Sequence, residues 1–413
     1  MNKKCNVKSG QISLSFCIPT YNRSRYLKVL LETFCQAINR FEFSFEIVIS
    51  DNASLDDTEI MVKDFYGKLP IRYFKQILNK GGANNLKNAQ RHAQGVLLMY
   101  LADDDLFHIE GLNKAVNIML KEQNVAAIYA PWTLFDLVNQ KKYGEFYQAS
   151  DLQIKKNDFA TLASHVISKN IWSEICIVRK KASDFCNPIT YSLSYWAYTI
   201  PCEYLSYGDV LYSNTPFYIS VTNYFSDEVR QQAGNLEVEY SWDIYRGGLE
   251  YILGRGIPGL EVNEIVYLRD RINQIIIDRM AVALRFRWQN NKDPIEIYQI
   301  ACRLRGQGGL EMLPVPFENI QFKVVLWYIT HDNDLLDGIQ SIQLVGGFSK
   351  AVKEEVLSQT NLKVYLYDRY KSGISNSMVV LKGQLSEYKI EYAYEAAKGN
   401  KFIAEFDLNR KFS

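Results

Sequence analysis

Three consecutive carboxylates, Asp103, Asp104 and Asp105, are the residues of this chain whose types and spacing most clearly suit chemistry. They follow residues 96–102, an uncharged and mostly apolar run that is typical of a strand buried on both faces of a parallel sheet. Ligands of open α/β sheets bind beyond the carboxyl ends of such strands. Because neighbouring carboxylates repel one another, a hard divalent cation with oxygen ligands would relieve the repulsion. A solvated acidic turn is the alternative, and the buried strand before it favours the ligand site.

Strands and helices that alternate along the chain must position these carboxylates. Short apolar strands are predicted at 14–18, 45–49 and 71–74 before the central run and at 125–129 after it, with helical periodicity between them. This alternation is typical of a parallel, doubly wound sheet. The predicted fold class is therefore α/β with a mostly parallel sheet, followed by a helical region and a small β-containing C-terminal appendage.

Each of the first three predicted strands ends in a short polar loop, at residues 20–23, 50–54 and 79–85. The carboxyl ends of parallel strands meet at one edge of a sheet, so the three loops are expected to converge there with the carboxylates. A glycine pair alone would indicate only a tight turn. The convergence of all three loops is the stronger indication of a ligand site.

The side chains of these loops suit a nucleotide. Asp51 is placed to accept a hydrogen bond from a base, Tyr21 to stack on the base, and Arg23 to meet a phosphate. Gly81 and Gly82 let the backbone approach a ligand closely just before a helix N-terminus, which favours anions. We therefore expect a nucleotide at this edge of the sheet.

Composition excludes several other classes of protein. The 413 residues carry a net charge of +1, so no global field favours nucleic acid as a partner. The seven cysteines form no CxxC pair, which is typical of reduced thiols in a cytosolic protein. Neither an apolar signal-peptide core nor an uncharged run long enough to span a membrane is seen, so a cytoplasmic protein is expected.

The motifs CIPTYNR (17–23), VISDNAS (48–54), NKGGANN (79–85) and LADDD (101–105) resemble those of the inverting family 2 glycosyltransferases, which have an A-type nucleotide-sugar-binding fold. Their order and spacing fit, and the resemblance covers roughly residues 12–225. The short LADDD form is more similar to the abequosyltransferase-type branch, which acts on bacterial surface polysaccharides, than to cellulose or chitin synthases.

The resemblance implies a nucleotide-sugar donor and Mn²⁺ or Mg²⁺ on its diphosphate. It assigns the metal to Asp103 and Asp105. The residues that it implies for binding the nucleotide sugar are Pro19, Thr20, Tyr21, Arg23, Asp51, Asn52, Asn79, Lys80, Gly82, Asp103 and Asp104.

The general base is the point at which the sequence departs from the family. Many members carry a Glu-Asp pair in the acceptor half, whereas the corresponding segment here, 186–202, has no charge. Glu203 is the first choice for the base, Asp184 the second and His165 a third, although a lone histidine is more often a packed one. The acids near this segment are Glu174, Asp184, Glu203 and Asp209, with Asp227 and Glu228 further on.

The rest of the chain is assigned more coarsely. The predicted domains are a nucleotide-sugar-binding catalytic domain at 1–228, a helical domain at 229–335 and an α+β appendage at 336–413. The aromatic residues of 191–225 are expected to have a mixed role: some pack onto the sheet, and others suit contact with sugars or with a lipid headgroup interface. A helix over roughly 265–287 has an arginine-rich face, which is either solvated or holds an anionic membrane.

The leading hypothesis is an inverting, metal-dependent glycosyltransferase whose acceptor is a saccharide or a lipid-linked saccharide. A lipid-linked acceptor would bring the protein to the cytoplasmic face of the inner membrane as a peripheral protein. A homo-oligomer is left open. The alternative is a non-catalytic nucleotide- or carbohydrate-binding module on the same fold, which the missing acid pair favours.

Overall fold

The computed structural model describes residues 10–186, 194–227, 238–239, 242–331, 336–371, 373–382 and 399–404. By its contacts the chain divides into two compact units, one of residues 1–237 with 241–276 and one of residues 238–240 with 277–413. The three-part division expected at 228/229 and 335/336 differs from these units and stays a prediction.

The first unit consists of strands and helices that alternate over most of its length. Its strands are β1 (Leu14–Thr20), β2 (Phe45–Asp51), β3 (Ile71–Lys75), β4 (Leu97–Tyr100), β5 (Leu106–Phe107), β6 (Val125–Tyr129), β7 (Trp132–Asp136), β8 (Lys141–Glu145), β9 (Leu152–Ile154), β10 (Cys176–Arg179), β11 (Asp209–Tyr212) and β12 (Tyr218–Asn223). Its helices are α1 (Ser24–Ala37), α2 (Thr58–Lys63), α3 (Gly82–His92), α4 (Ile109–Lys121), α5 (Phe159–Ser168), α6 (Lys180–Phe185), α7 (Trp196–Tyr207) and α8 (Trp242–Gly256), and α9 (Val262–Gln289) begins in it.

The main sheet of this unit has eight strands in the order β3-β2-β1-β4-β10-β6-β11-β9. Strands β1 to β4 are parallel, and β6 is parallel to β11. Strand β10 lies between β4 and β6 and is antiparallel to both. A second sheet has the order β5-β12-β7-β8. The predicted α/β class with a large, mostly parallel sheet is confirmed.

Apolar residues at strand and helix spacing build the core of this unit. Helix α1 buries Leu27, Leu30, Leu31 and Phe34 along one face, as the periodicity predicts. The ring of Phe34 meets that of Phe16 of β1 edge-on at 4.9 Å between centroids. Burying one such side chain fully contributes about 1.5–3 kcal/mol. These contacts fix α1, and with it the loop that precedes the helix, against the sheet.

The second unit holds the rest of α9 and a smaller sheet. It contains α10 (Pro294–Gly306), α11 (Phe317–His331), α12 (Lys350–Gln359), β13 (Ser341–Val345), β14 (Lys363–Tyr367), β15 (Ser377–Leu381) and β16 (Lys401–Ala404). The described strands are all parallel, in the order β14-β13-β15-β16. Sequence alternation identified the regions of β14 and β16 but missed β13 and β15. Both of those strands are buried along their whole length, so they have no polar face to alternate with. The segment YKIEYAYE (388–395), which shows the same alternation in the sequence and is predicted to be strand-like, lies outside the described residues.

Arg287 of α9 is an interior residue of the second unit. It is only 4% exposed, its Nε donates to the backbone oxygen of Glu239 at 3.0 Å, and its guanidinium contacts the Glu296 carboxylate. The expectation that Arg287 belongs to a lipid-facing arginine surface is therefore wrong. Arg285 is exposed. Among the described residues, none of the helices is both long enough and apolar enough to cross a bilayer.

Gly111 sets the close approach of α4 to the segment that leads into β12. A Cβ at this position would lie 2.1 Å from the backbone oxygen of Pro216, so Gly111→Ala must shift either α4 or β12. We expect a loss of about 1–3 kcal/mol in the free energy of unfolding, measured by urea denaturation. Gly254→Ala in α8 is the matched control, because nothing lies within 4 Å of its Cβ position. The free energy of unfolding of this control should be unchanged or rise by up to about 1 kcal/mol. Equal changes in the two variants would contradict the close approach of α4 at Gly111.

Candidate active site

The three carboxylates lie at the carboxyl end of β4, and all are buried: Asp103 is 4%, Asp104 3% and Asp105 6% exposed. The Thr20 hydroxyl, at the end of β1, donates to Oδ2 of Asp103 at 2.7 Å. The Arg23 guanidinium contacts Asp104 directly and lies 3.5 Å from Oδ1 of Asp103. The predicted convergence of the first loop on the acidic cluster is therefore present in the fold.

Asp105 points toward a different part of the molecule. The Tyr218 hydroxyl donates to its Oδ2 at 2.7 Å, and the backbone N–H of Val221 donates to its Oδ1 at 2.9 Å. The Tyr218 hydroxyl also accepts from the backbone N–H of Ala102 at 3.3 Å. Asp105 therefore ties the end of β4 to β12, whereas Asp103 faces the loop after β1.

The electrostatics of Asp103 reflect this crowding. Burial is the main effect and the charge of Asp104 the next, and together they raise the pKa of Asp103 to about 7. Arg23 and the Thr20 hydroxyl oppose that rise because they favour the charged form. A further positive charge nearby would stabilise the charged form of this buried carboxylate.

Carboxylate oxygens suit a hard cation whose remaining coordination positions are filled by the substrate. The described residues contain no group of three or more His, Cys, Asp or Glu side chains arranged to hold a metal ion. Mg²⁺, however, is commonly bound by one or two carboxylates together with substrate phosphates. Asp103 and Asp105 carry oxygen atoms of this kind, and their role as ligands of a cation on a diphosphate stays a prediction.

The loops after β2 and β3 are locked together by Asn52, which is buried. Its side-chain amide donates to Oδ1 of Asn79 at 2.7 Å and its Oδ1 accepts from the Lys80 backbone N–H at 2.9 Å. Asn85, in α3, donates to the Thr20 backbone oxygen at 3.1 Å and accepts from the Ser50 hydroxyl at 2.7 Å. The three loops therefore form one connected edge of the sheet.

The residues predicted to bind the nucleotide divide into accessible and enclosed ones. Tyr21 is 41% exposed, Lys80 and Gly82 are exposed, and Pro19 is partly so, all at the carboxyl edge. Asp51 is fully buried: the Ser54 backbone N–H donates to its Oδ1 at 2.7 Å, and the Tyr73 hydroxyl contacts its Oδ2. Asp51 therefore shapes the loop after β2, and its contact with a base stays a prediction.

The roles of Asp184 and Glu203 as the base stay predictions. Asp184, in α6, lines a pocket with Gly95 and Val96, which precede β4, whereas Asp103 follows β4. Glu203 accepts from the Tyr251 hydroxyl at 2.9 Å in the last turns of α7, which ends beside the start of β6. Both acids are therefore nearer the amino ends of the parallel strands.

His165 is a packed side chain. Its ring lies 4.7 Å from that of Tyr212, and burial lowers its pKa to about 4. This environment matches the reading of a lone histidine as part of the core.

The sequence named Glu174 among the nearby acids but did not rank it as the base. Glu174 lies two residues before β10, which runs antiparallel to β4, so the start of β10 lies at the carboxyl edge of β4. The side chain is half-buried, and the Tyr195 hydroxyl donates to its Oε1. Because the alternating pattern predicts parallel strands, it gave no signal that this strand is reversed.

Fold and site together define a doubly wound α/β protein with a carboxylate-lined ligand site at the carboxyl ends of its strands. Residues 15–183 match the family model described as Glycosyl transferase family 2. This part of the chain is therefore similar to that family, in the region where the sequence motifs lie.

Curated relatives cover short stretches of the chain. The abequosyltransferase RfbV of Salmonella typhimurium is 38% identical over 94 residues, which are 22% of this chain and 28% of the relative. An uncharacterized glycosyltransferase of Haemophilus influenzae is 30% identical over 118 residues, 29% of this chain and 38% of the relative. The chain therefore spans well under half the length of either relative.

Solved structures are also similar. TarS 1–349 of Staphylococcus aureus in complex with UDP-GlcNAc has a TM-score of 0.44 at 16% identity, covering 77% of this chain and 85% of that one. A mannosyltransferase from Pyrobaculum calidifontis in complex with GDP-Man and Mn²⁺ has a TM-score of 0.42 at 14% identity, covering 74% and 82%.

The raised pKa of Asp103 predicts a pH-dependent stability. The folded protein holds a proton up to about pH 7, whereas the unfolded chain loses it near the usual value of 3.8, so folding stability falls as pH rises between these values. Asp103→Asn cannot titrate. Its free energy of unfolding should therefore improve relative to wild type from about pH 5 to about pH 8, measured by urea denaturation in EDTA.

Asp136→Asn is the matched control for that measurement. Hydrogen bonds from Asn139 lower the pKa of Asp136 below 3.8, so its titration falls below the measured range. The difference between this variant and wild type should stay constant between the two pH values. A constant difference for Asp103→Asn as well would show that Asp103 is already charged throughout.

Proposed function

We propose that this protein is an inverting glycosyltransferase that moves a sugar from a nucleotide-diphosphate donor to a saccharide or lipid-linked saccharide acceptor in bacterial surface polysaccharide synthesis. The observation that carries the proposal is the set of three buried carboxylates, held by Arg23 and Thr20 on one side and Tyr218 on the other, within a family 2 domain. Similarity to an abequosyltransferase of Salmonella typhimurium and to a Campylobacter jejuni glucosyltransferase named for a PP-undecaprenol-linked saccharide supports the substrate class.

Each loop has a part in this proposal. Tyr21, exposed at the carboxyl edge, stacks on the base, while Asn52 and Asn79 hold the second and third loops in the shape that receives the nucleoside. Lys80 and the backbone at Gly82, which opens α3, meet the phosphates at a helix N-terminus. Arg23 stabilises the negative charge that develops on the departing diphosphate.

Asp103 and Asp105 are the proposed ligands of Mn²⁺ or Mg²⁺, with Asp104 near the ribose or the sugar. A bound divalent cation would supply charge neutralisation on the diphosphate. The Tyr218 hydroxyl and the Val221 N–H hold the Asp105 carboxylate, and each of its oxygens keeps a second lone pair with which it would bind the cation.

The second candidate is a non-catalytic nucleotide- or carbohydrate-binding module. The uncharged segment 186–202 favours it, because a transferase needs a base near its acceptor. Turnover of a nucleotide sugar, with and without saccharide acceptors, separates the two candidates. Binding without turnover under every condition would support the module. The first screen is a thermal-shift panel of UDP-, GDP-, CDP- and dTDP-sugars with and without Mn²⁺.

Arg23→Gln tests the phosphate contact. Loss of one charge-assisted hydrogen bond costs about 1.5–3 kcal/mol, so donor affinity should fall roughly tenfold to a hundredfold in calorimetry. Arg25→Gln is the matched control, since Arg25 lies two residues further along, in the first turn of α1, and pairs with exposed Asp227 at 2.9 Å rather than with the three carboxylates. Donor affinity of the control should stay within about twofold of wild type. Equal losses in both variants would contradict a specific role for Arg23.

Removal of the metal tests the proposed cation. Transfer should stop in EDTA and return with Mn²⁺ or Mg²⁺, and Asp105→Asn should lower transfer by at least about tenfold while the variant stays folded. Undiminished transfer in EDTA would remove the metal from the proposal and leave the transferase standing. The nucleotide-sugar panel is run with the same variant, so that loss of donor binding is told apart from loss of turnover.

A further inference from the structure

Glu174 lies closer to the acidic cluster than its sequence position suggests. Strand β10 pairs antiparallel with β4 through Ile177 opposite Met99. Glu174 lies two residues before β10 and Asp103 three residues after β4, so the two acids lie at the same edge of the sheet.

Electrostatics place the same groups together. Tyr100, the last residue of β4, has its pKa raised mainly by burial and then by the charges of Asp105, Asp104, Asp103 and Glu174. The three carboxylates and Glu174 therefore all lie close enough to the Tyr100 hydroxyl to affect its pKa.

Tyr195 and its neighbours hold Glu174 in place. The Tyr195 hydroxyl donates to Oε1 of Glu174, and the Tyr195 ring packs edge-on against Tyr245 at 4.7 Å and against Trp172 at 5.6 Å between centroids. Glu174 itself is half-buried, so a ligand at the carboxyl edge can reach it. A carboxylate held by a tyrosine hydroxyl and only partly buried suits contact with a saccharide hydroxyl.

We propose that Glu174 is the general base of the transfer reaction and that Tyr195 is its positioning residue; this inference rests on the proposed function. Glu174 takes the proton from the acceptor hydroxyl as its oxygen forms a bond to the anomeric carbon. The bond from that carbon to the diphosphate oxygen breaks, and the nucleoside diphosphate leaves with the electron pair. The proton ends on Glu174 and is released to solvent.

Glu174→Gln is the first test, because it keeps the shape of the side chain and removes its basicity. Transfer to a saccharide acceptor should fall about 100- to 10,000-fold, while the Kd for the nucleotide-sugar donor stays within about twofold of wild type. Glu110→Gln is the matched control: the same change at an exposed residue paired with Arg40, expected to keep full activity. Retained transfer in Glu174→Gln would overturn the inference. Glu203→Gln is made in parallel, and a loss confined to that variant would assign the base to Glu203.

Azide distinguishes a base from a structural residue. Azide carries no proton, so it can attack the anomeric carbon without a base and give a glycosyl azide. Glu174→Ala, which leaves room for the ion, should form this product from the nucleotide sugar. Absence of the azide product, in a variant that still binds donor, would mean that Glu174 acts on structure and would overturn the inference.

Tyr195→Phe tests the positioning role. It should lower kcat for transfer while the KM for the donor is unchanged, and an unchanged kcat would remove Tyr195 from the inference. A wild-type protein that binds donors and transfers to no acceptor would instead contradict the proposed function. The two failures are therefore distinct.

Discussion

The burial of three adjacent carboxylates at one edge of a sheet is the constraint on which the rest of this structure depends. Unpaired charges in such a place are costly, and a buried carboxylate either finds donors or takes up a proton. The fold supplies both outcomes. Arg23 and Thr20 approach Asp103 and Asp104 from β1, Tyr218 and Val221 approach Asp105 from β12, and the pKa of Asp103 still rises to about 7. A cluster in this state is prepared for a positively charged or proton-donating ligand.

Compensation of these charges also ties distant parts of the chain together. Asp105 joins the main sheet to the second sheet through β12, and Gly111 allows α4 to approach the segment before that strand. On the other side, Asn52 and Asn85 join the loops after β1, β2 and β3 by side-chain amides. Each loop is therefore held by its neighbours rather than by its own turn alone. Such preorganisation reduces the cost of ordering the site when a ligand binds.

One reversed strand gives the site its asymmetry. Because β10 is antiparallel between β4 and β6, the residues before it arrive at the carboxyl edge, and the residues after it depart to the amino edge. Glu174 and Asp184, which lie only a short distance apart in sequence, are thereby sent to opposite ends of the sheet. The reversal brings an acid and a cluster of aromatic rings to the side of the site that faces away from the nucleotide loops.

The sequence by itself determined the alternating strands and helices, the α/β class, the three polar loops and the buried run before Asp103, because local periodicity and a run of like charges are visible without any neighbour. Local patterns did not predict features that depend on contacts with residues distant in the sequence. Strands β13 and β15, buried throughout, have no alternation to find. Arg287 looked like a surface cation and is enclosed by Glu239 and Glu296. The direction of β10, the partners of Asp105 and the enclosure of Asp51 were decided only by the tertiary structure, since each depends on which distant residue the fold places alongside.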